Sequence, residues 1–410
     1  MPSVYKSPEG KQAIQDRYLQ FLKYWPIPNQ QLRVSTREGE TFVIASGPED
    51  APPLILLHGT AFNSTMWMGD IAAWSQHFRV YAVDIIGDAG LSAPSRPSYA
   101  SDAHALWLDD VLLGLGVEKA SFVGISLGGW IALDYAMRRP ERAKSLVLIA
   151  PGGLASRNVL PWALPLLLLG QWGRRKMTEK ISGPASANPS PAQKAVSDFL
   201  ALIFKNMTPR RKSLPDFSDE SLKKLTMPVL AILAGRDVFV DSHRARAKLQ
   251  SNVPGATVNF LPDSYHSITN QTQPILEFLR AVHEARDMCG CFIQLGGVQV
   301  YEVSGKGPEL RTGQDAVDLM SAASEQRATW IAIPAARLGD EFFELRTRIA
   351  GEIAQKFAMY GARVAIIGDI SRRMAMSHSL AAFVAEANRG KSLWFVENNQ
   401  ELEDRLKTLR

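Results

Sequence analysis

The stretch Ala120-Ser-Phe-Val-Gly-Ile-Ser126-Leu-Gly-Gly-Trp130 decides how this chain is read. An apolar run, Ala120 to Gly124, leads into Gly-x-Ser-x-Gly, and a helical pattern follows from Trp130 to Arg138. A serine in that place sits on a sharp strand-to-helix turn with its hydroxyl exposed. Glycines two residues to either side remove the side chains that would collide in the turn. The helix that follows aims its positive N-terminal end at the site, and the Leu127 N–H faces any oxyanion that develops there. The pentapeptide alone arises by chance; the strand before it and the helix after it give it meaning.

Working outward, similar short apolar runs recur at Leu54–Leu57, Val80–Asp84, Ser145–Ala150, Pro228–Ala234 and Thr257–Leu261, most of them bounded by Gly or Pro. Continuous runs of this kind are what parallel strands buried on both faces look like. Helical patterns lie between them, such as His104–Leu115 and Trp130–Arg138. Strand and helix in alternation predict an α/β fold, a parallel sheet with helices on both faces. The alternation breaks from Leu154 to Leu225, which holds helical runs and prolines and no strand pattern. An insertion at this point is expected to form an α-helical cap over the strand ends, where ligands bind in open α/β sheets.

A serine hydroxyl is a poor nucleophile without a base that is itself held by a third group. Asp237 follows the apolar run ending at Ala234, and His266 follows the run ending at Leu261. Both therefore fall at strand ends on the edge that carries Ser126, in the order Ser, Asp, His. Asp241 is a rival acid, and it fits a helix N-cap at least as well. A second oxyanion donor is expected in the loop after the Leu54–Leu57 strand, where the Thr60 N–H is the candidate. His58 is expected to shape that loop.

Pro53-Leu-Ile-Leu-Leu-His-Gly59, Asn63 to Trp67, Ala82-Val-Asp-Ile-Ile-Gly87 and Gly124 to Gly129 together resemble the α/β-hydrolase superfamily, and within it the bacterial carboxylesterase-like serine hydrolases. The resemblance covers about residues 31–285 and includes Ser126, Asp237 and His266. It implies hydrolysis of a carboxylic ester through an acyl-enzyme, with no cofactor and no metal. Asp88-Ala-Gly90 departs from it, standing where relatives carry a Gly-His-Gly type of turn. The cap matches nothing familiar, so no substrate is implied beyond a small-molecule ester. The same three residues would serve a carbon–carbon bond hydrolase or a perhydrolase. A hydrolase-shaped, non-catalytic ligand sensor is the alternative of a different class, and it has no need of a base and an orienting acid.

Near Ala285–Gly297 the pattern changes. We expect an α/β-hydrolase domain over 1–286 with its cap at about 154–225, a linker over 287–297, and a small α/β domain over 298–410. In the last, strands are expected at Val298–Val303, Thr329–Ile333, Arg363–Gly368 and Leu393–Val396. Helices are expected at Gln314–Ser324, Glu341–Tyr360, Ser377–Asn388 and Gln400–Leu409. Gln314–Met320, Asp340–Thr347, Ala350–Phe357 and Ala365–Asp369 resemble a small uncharacterised bacterial domain family, of the domain of unknown function 4180 type. Its alternation is similar to STAS-type regulatory domains, by analogy alone. Arg346, Glu352 and Asp369 are its candidate polar group, read first as a structural ion-pair cluster.

Composition bounds these readings. The chain has 410 residues, 46% hydrophobic and 21% charged, which excludes a disordered or collagen-like chain. Its two cysteines, Cys289 and Cys291, are too few for a structural zinc site. The longest apolar stretch, Leu160 to Trp172, contains Pro161 and Pro165 and falls short of the roughly 20 residues of a membrane span. A cytoplasmic, reduced protein is expected. The net charge is +5, and residues 298–410 are neutral, so the excess lies before them. Leu154 to Lys212 alone holds ten basic residues against Glu179 and Asp198. No nucleic-acid recognition motif accompanies this surplus, and no nucleic-acid partner is expected. It reads as a solvated helical face, or, beside the apolar Leu160–Leu169, as a point of weak peripheral contact with an anionic membrane.

Overall fold

Strands from Ala120, Leu54 and Val80 lie side by side at the centre of the first sheet, as buried apolar runs require. A computed structural model describes residues 3–408 except 185, 187, 209, 211–212, 289, 308 and 325–327. The chain divides into two compact units, Met1–Arg280 and Ala281–Arg410. The first contains β1 (Asn29–Thr36), β2 (Gly39–Ser46), β3 (Pro53–Leu57), β4 (Arg79–Val83), β5 (Ala120–Ile125), β6 (Ala143–Ile149), β7 (Val229–Ala234) and β8 (Ala256–Leu261). Their order across the sheet is β1-β2-β4-β3-β5-β6-β7-β8. The β1–β2 and β2–β4 pairs are antiparallel and the rest are parallel.

Successive side chains of these strands leave on opposite faces and meet two separate cores. Leu57, Val83, Phe122, Leu148 and Leu233 pack with the helices Ala103–Gly114 and Leu127–Arg138. Leu56, Ala82, Val123, Val147 and Ile232 pack instead with Ile14 and Tyr18 of the helix Pro8–Leu22 and with Ile275 and Leu279 of the helix Thr272–Met288. With both faces covered, β4 and β7 are buried at every residue. The hairpin β1–β2 lies outside the strands expected from the sequence. β1 reads Asn-Gln-Gln-Leu-Arg-Val-Ser-Thr and is exposed or half-exposed except at Val34, so it carries no apolar run to read.

Among the described residues, 154–225 contains no strand and four helices: Leu160–Leu168, Gly170–Ser182, Pro191–Asn206 and Asp219–Leu222. The first two form a helical hairpin whose turn is made at Gly170, φ 59°.

The second unit contains β9 (Cys291–Leu295), β10 (Val298–Glu302), β11 (Trp330–Pro334), β12 (Arg363–Ile367) and β13 (Leu393–Val396), ordered β13-β12-β11-β10-β9. β9 corrects the sequence reading, which placed 287–297 in a linker. Cys291–Leu295 pairs antiparallel with β10 through a two-residue turn at Gly296 and Gly297, both at positive φ, the geometry of a tight hairpin. The helix Thr272–Met288 likewise runs into the expected linker. The expected helix Glu341–Tyr360 is broken into Asp340–Phe343, a tight turn at Leu345–Thr347, and Ile349–Met359, with Arg348 at φ 67° between the last two. The helices Gly313–Ser324, Asp340–Phe343, Ile349–Met359 and His378–Arg389 pack on one face of this sheet, and the helix Asn399–Thr408 packs on the other. Cys289 lies outside the described residues. Cys291 is an exposed free thiol, its pKa pushed up by partial burial and by Glu302, whose carboxylate lies 3.6 Å from the sulfur.

Candidate active site

Ser126 sits between β5 and the helix Leu127–Arg138 at φ 52°, ψ −107°. This is a left-handed conformation for a residue with a Cβ, and holding it costs on the order of 1–3 kcal/mol. The surroundings fix it. The Ser126 N–H donates to the Ile149 carbonyl of β6 at 2.9 Å, and its own carbonyl accepts from Gly152 and Trp130. A Cβ on Gly124 would run into the Gly128 carbonyl, and one on Gly128 into the Leu57 carbonyl at the end of β3. Both flanking glycines are therefore needed for the strand, the turn and the helix to pack this closely.

The loop after β8 brings His266 to this turn. Its Nε2 lies 3.1 Å from Ser126 Oγ, and its Nδ1 lies 2.7 Å from Asp237 Oδ2. Asp237 is buried in the loop after β7. Its other oxygen accepts the Phe239 N–H at 2.7 Å and the Val240 N–H at 3.0 Å. The carboxylate is thus held by its own loop and points one oxygen at the imidazole. Phe239 packs edge-on against the His266 ring, centroid to centroid 4.7 Å. Asp241, the rival acid, is used elsewhere. It caps the helix Ser242–Asn252 by accepting the Arg244 N–H at 3.2 Å, and Arg157 lies 3.8 Å from it.

Leu127 opens its helix, so its N–H has no carbonyl four residues back to bond. Thr60 is exposed in the loop after β3 and precedes Ala61, a second non-glycine residue at positive φ, 57°. His58 is fully buried. Its Nε2 accepts the Ile85 N–H at 2.9 Å, so Nδ1 carries the proton and donates to the Gly59 carbonyl at 2.8 Å. His58 thereby ties the loop after β3 to the loop after β4.

A family profile described as alpha/beta hydrolase fold matches residues 52–177, and one described as Domain of unknown function (DUF4180) matches residues 295–406. Among known proteins the chain is similar to the Bacillus subtilis "Uncharacterized carboxylesterase nap", 36% identical over 265 residues, which are 63% of this chain and 87% of the relative. It is 35% identical over 271 residues to "Carboxylesterase YbfK" of the same organism, 64% of this chain and 92% of the relative. The chain belongs to the α/β-hydrolase family. A crystal structure of naproxen esterase (carboxylesterase NP) from Bacillus subtilis superimposes with a TM-score of 0.58 at 32% identity, covering 68% of this chain and 99% of that one. This α/β-hydrolase is an enzyme, a hydrolase of the carboxylesterase-related kind.

Two buried acids of the hydrolase escaped the sequence reading. Asp84, at the end of β4, accepts from Tyr18 Oη at 2.9 Å, from the Ser64 N–H and Oγ at 2.9 and 2.7 Å, and from the Leu91 N–H at 2.8 Å. It thereby joins the first helix, the loop after β3 and the loop after β4. Asp88 accepts the Ala61 N–H at 2.7 Å and so holds the loop that carries Thr60, while its second oxygen is buried with no hydrogen-bond partner among the described residues. Burial pushes its pKa up, and the neighbouring His58, then Arg210, the Ala61 N–H that it accepts and Arg96 oppose the rise. The departure at Asp88-Ala-Gly90 is the one signal in the sequence that marked this position.

His104 is also buried. Neither ring nitrogen finds a hydrogen-bond partner among the described residues, and the ring stacks on Tyr99 at 5.2 Å and meets Trp130 edge-on at 5.8 Å. Burial, helped by Arg210, lowers its pKa to about 4. In the second unit, Arg346, Glu352 and Asp369 do not form an ion-pair cluster. Arg346 pairs with Glu344 at 2.7 Å, Glu352 accepts the Gly313 N–H at 3.1 Å, and Asp369 accepts the Ser371 N–H at 2.8 Å.

Proposed function

We propose that this hydrolase cleaves a carboxylic ester through a covalent acyl-enzyme, with Ser126 as nucleophile, His266 as general base and acid, and Asp237 as the group that orients His266. The observation that carries the reading is the imidazole placed between the two partners, 3.1 Å from Ser126 Oγ and 2.7 Å from Asp237 Oδ2. The acidic oxygen beside Nδ1 favours the tautomer with the proton there, leaving Nε2 free to accept from the serine. Ser126 Oγ attacks the ester carbonyl as its proton passes to Nε2. The tetrahedral oxyanion is met by the Leu127 and Thr60 N–H groups, the first backed by the helix that begins there. Collapse breaks the C–O bond, and the alcohol leaves with the proton from Nε2. Water, deprotonated by the same nitrogen, then attacks the acyl-enzyme, and the carboxylic acid departs with Ser126 restored.

Relatives named as carboxylesterases support the ester as the bond broken. A carbon–carbon bond hydrolase or a perhydrolase would use the same three residues, and no observation favours either. Exposure to a fluorophosphonate probe tests the reading. Stoichiometric labelling at Ser126, lost in Ser126→Ala, is expected, together with turnover of p-nitrophenyl esters. A folded protein that neither labels nor turns over esters would instead fit the non-catalytic sensor.

A further inference from the structure

The helical hairpin Leu160–Leu168 and Gly170–Ser182 has two unlike ends. Its base is bonded to the loop of His266: the Ser267 N–H donates to the Ile181 carbonyl at 3.2 Å, and the Ser182 and Ser267 hydroxyls lie 2.9 Å apart. The Tyr265 ring packs on Gly183 so closely that a Cβ there would stand 2.9 Å from it. On the other helix, Trp162 packs on Phe239, the residue that touches the His266 ring. The tip is free. Leu168 is 82% exposed, Leu169 54% and Trp172 57%, and Leu160 and Leu164 continue the same exposed face. At 1.5 Å per residue, the 13-residue second helix sets the tip about 20 Å from the base.

Apolar side chains of this size gathered on one exposed tip mark a contact surface, since soluble surfaces scatter theirs singly. The charge beside the tip identifies the partner. From Leu160 to Ser182 the chain holds Arg174, Arg175, Lys176 and Lys180 against Glu179 alone. Arg175 and Lys176 follow Trp172 by three and four residues, one helical turn behind it. Both are substantially exposed even while pairing with Glu179 at 3.0 and 2.7 Å. Leucines and a tryptophan leading, with cations one turn behind, is the arrangement that seats apolar groups at the acyl boundary and basic groups among anionic headgroups.

The geometry points to this hairpin as a docking device for an anionic lipid surface. The tip enters the interface and the basic flank meets the headgroups. The base, bonded beside His266, holds the active site within about 20 Å of that surface. Docking is separate from the chemistry assigned to Ser126, and it is read here without turnover. No helix among the described residues is long and apolar enough to cross a membrane, so the contact is peripheral and reversible.

Sedimentation of the full chain with phosphatidylglycerol vesicles, beside phosphatidylcholine vesicles, tests the inference. Binding to the anionic vesicles is expected, at least fivefold weaker at 0.5 M than at 0.05 M salt. It should weaken by a similar factor in Leu168→Glu, which removes the apolar tip, and in Arg175→Glu/Lys176→Glu, which reverses the flank. Both variants should keep their turnover of p-nitrophenyl acetate, a water-soluble ester, within twofold. Equal recovery in the supernatant with both vesicles overturns the inference. So does a concentration-dependent dimer in solution that Leu168→Glu abolishes without any vesicle binding, because the tip would then be covered by a second copy of the chain.

Discussion

Two groups of three polar residues stand out along this sequence, and the fold treats them differently. Ser126, Asp237 and His266 span 140 residues and three loops, yet one imidazole bonds both partners. Arg346, Glu352 and Asp369 span 23 residues, and each is satisfied by a neighbour of its own: Glu344, the Gly313 N–H and the Ser371 N–H. The difference lies in where the backbone puts them. The first three follow the C-terminal ends of the parallel strands β5, β7 and β8, which the sheet aligns on one edge. Of the second three only Asp369 follows a strand, β12; the others lie on a turn and a helix. Shared strand-end placement, more than residue type, separates a convergent site from ordinary surface and capping polarity.

The largest expected effect comes from breaking the first group. Ser126→Ala should lower kcat for a p-nitrophenyl ester by about 10³-fold or more, since members of such a group act as a unit. Arg346→Ala, Glu352→Ala and Asp369→Ala should each leave it within twofold. A loss under tenfold in Ser126→Ala would sink the mechanism. Next comes the choice of acid. Asp237→Asn should cost on the order of 10³-fold in kcat, because the amide no longer holds the imidazole in the required tautomer. Asp241→Asn should cost less than threefold, because asparagine still caps a helix. The reverse ranking would move the acid to Asp241.

A smaller effect is expected at Asp88. Its bond to the Ala61 N–H positions the loop of Thr60. Asp88→Ala should lower kcat by about tenfold with KM little changed, the signature of a contact felt in the transition state. Asp88→Asn keeps an oxygen acceptor there and should restore most of the rate. A KM rise with kcat intact would place Asp88 in substrate binding instead. The smallest effect concerns His104. Its native pKa of about 4 lies below the ordinary 6.5, so above pH 6.5 both native and unfolded chains hold it neutral. Below 6.5 the unfolded chain takes up a proton that the native one refuses. Stability therefore falls as pH drops from 6.5 towards 4, by about 3 kcal/mol at the lower end. His104→Phe keeps the stack on Tyr99 and removes the proton site. Its urea midpoint should decline less than that of the parent over this range, and parallel curves would show that native His104 takes up its proton as readily as the unfolded chain does.

The central strands were legible because burial on both faces demands unbroken apolar runs, and β4 and β7 meet that demand at every position. Ser126 was legible because few backbones need Gly at both flanks of a serine. β1 was not, since an edge strand exposed along most of its length need carry no pattern. β9 was hidden in the same way: Cys291–Leu295 is an exposed or half-exposed edge, and the two glycines that make its hairpin turn looked like a junction. Asp84 and Asp88 were missed because their partners are backbone N–H groups and hydroxyls from distant segments, which no local spacing reveals.

Ser126 at φ 52° carries a consequence for how this protein can change over generations. Backbone and hydroxyl want different residues at that one position, glycine for the turn and serine for the oxygen. Ser126→Gly should abolish activity while raising the melting temperature by a few degrees, because glycine adopts this conformation without strain. Selection for heat resistance alone would therefore lead the chain towards inactive descendants, and copies of the gene released from their enzymatic duty should drift to glycine there before the rest of the fold decays.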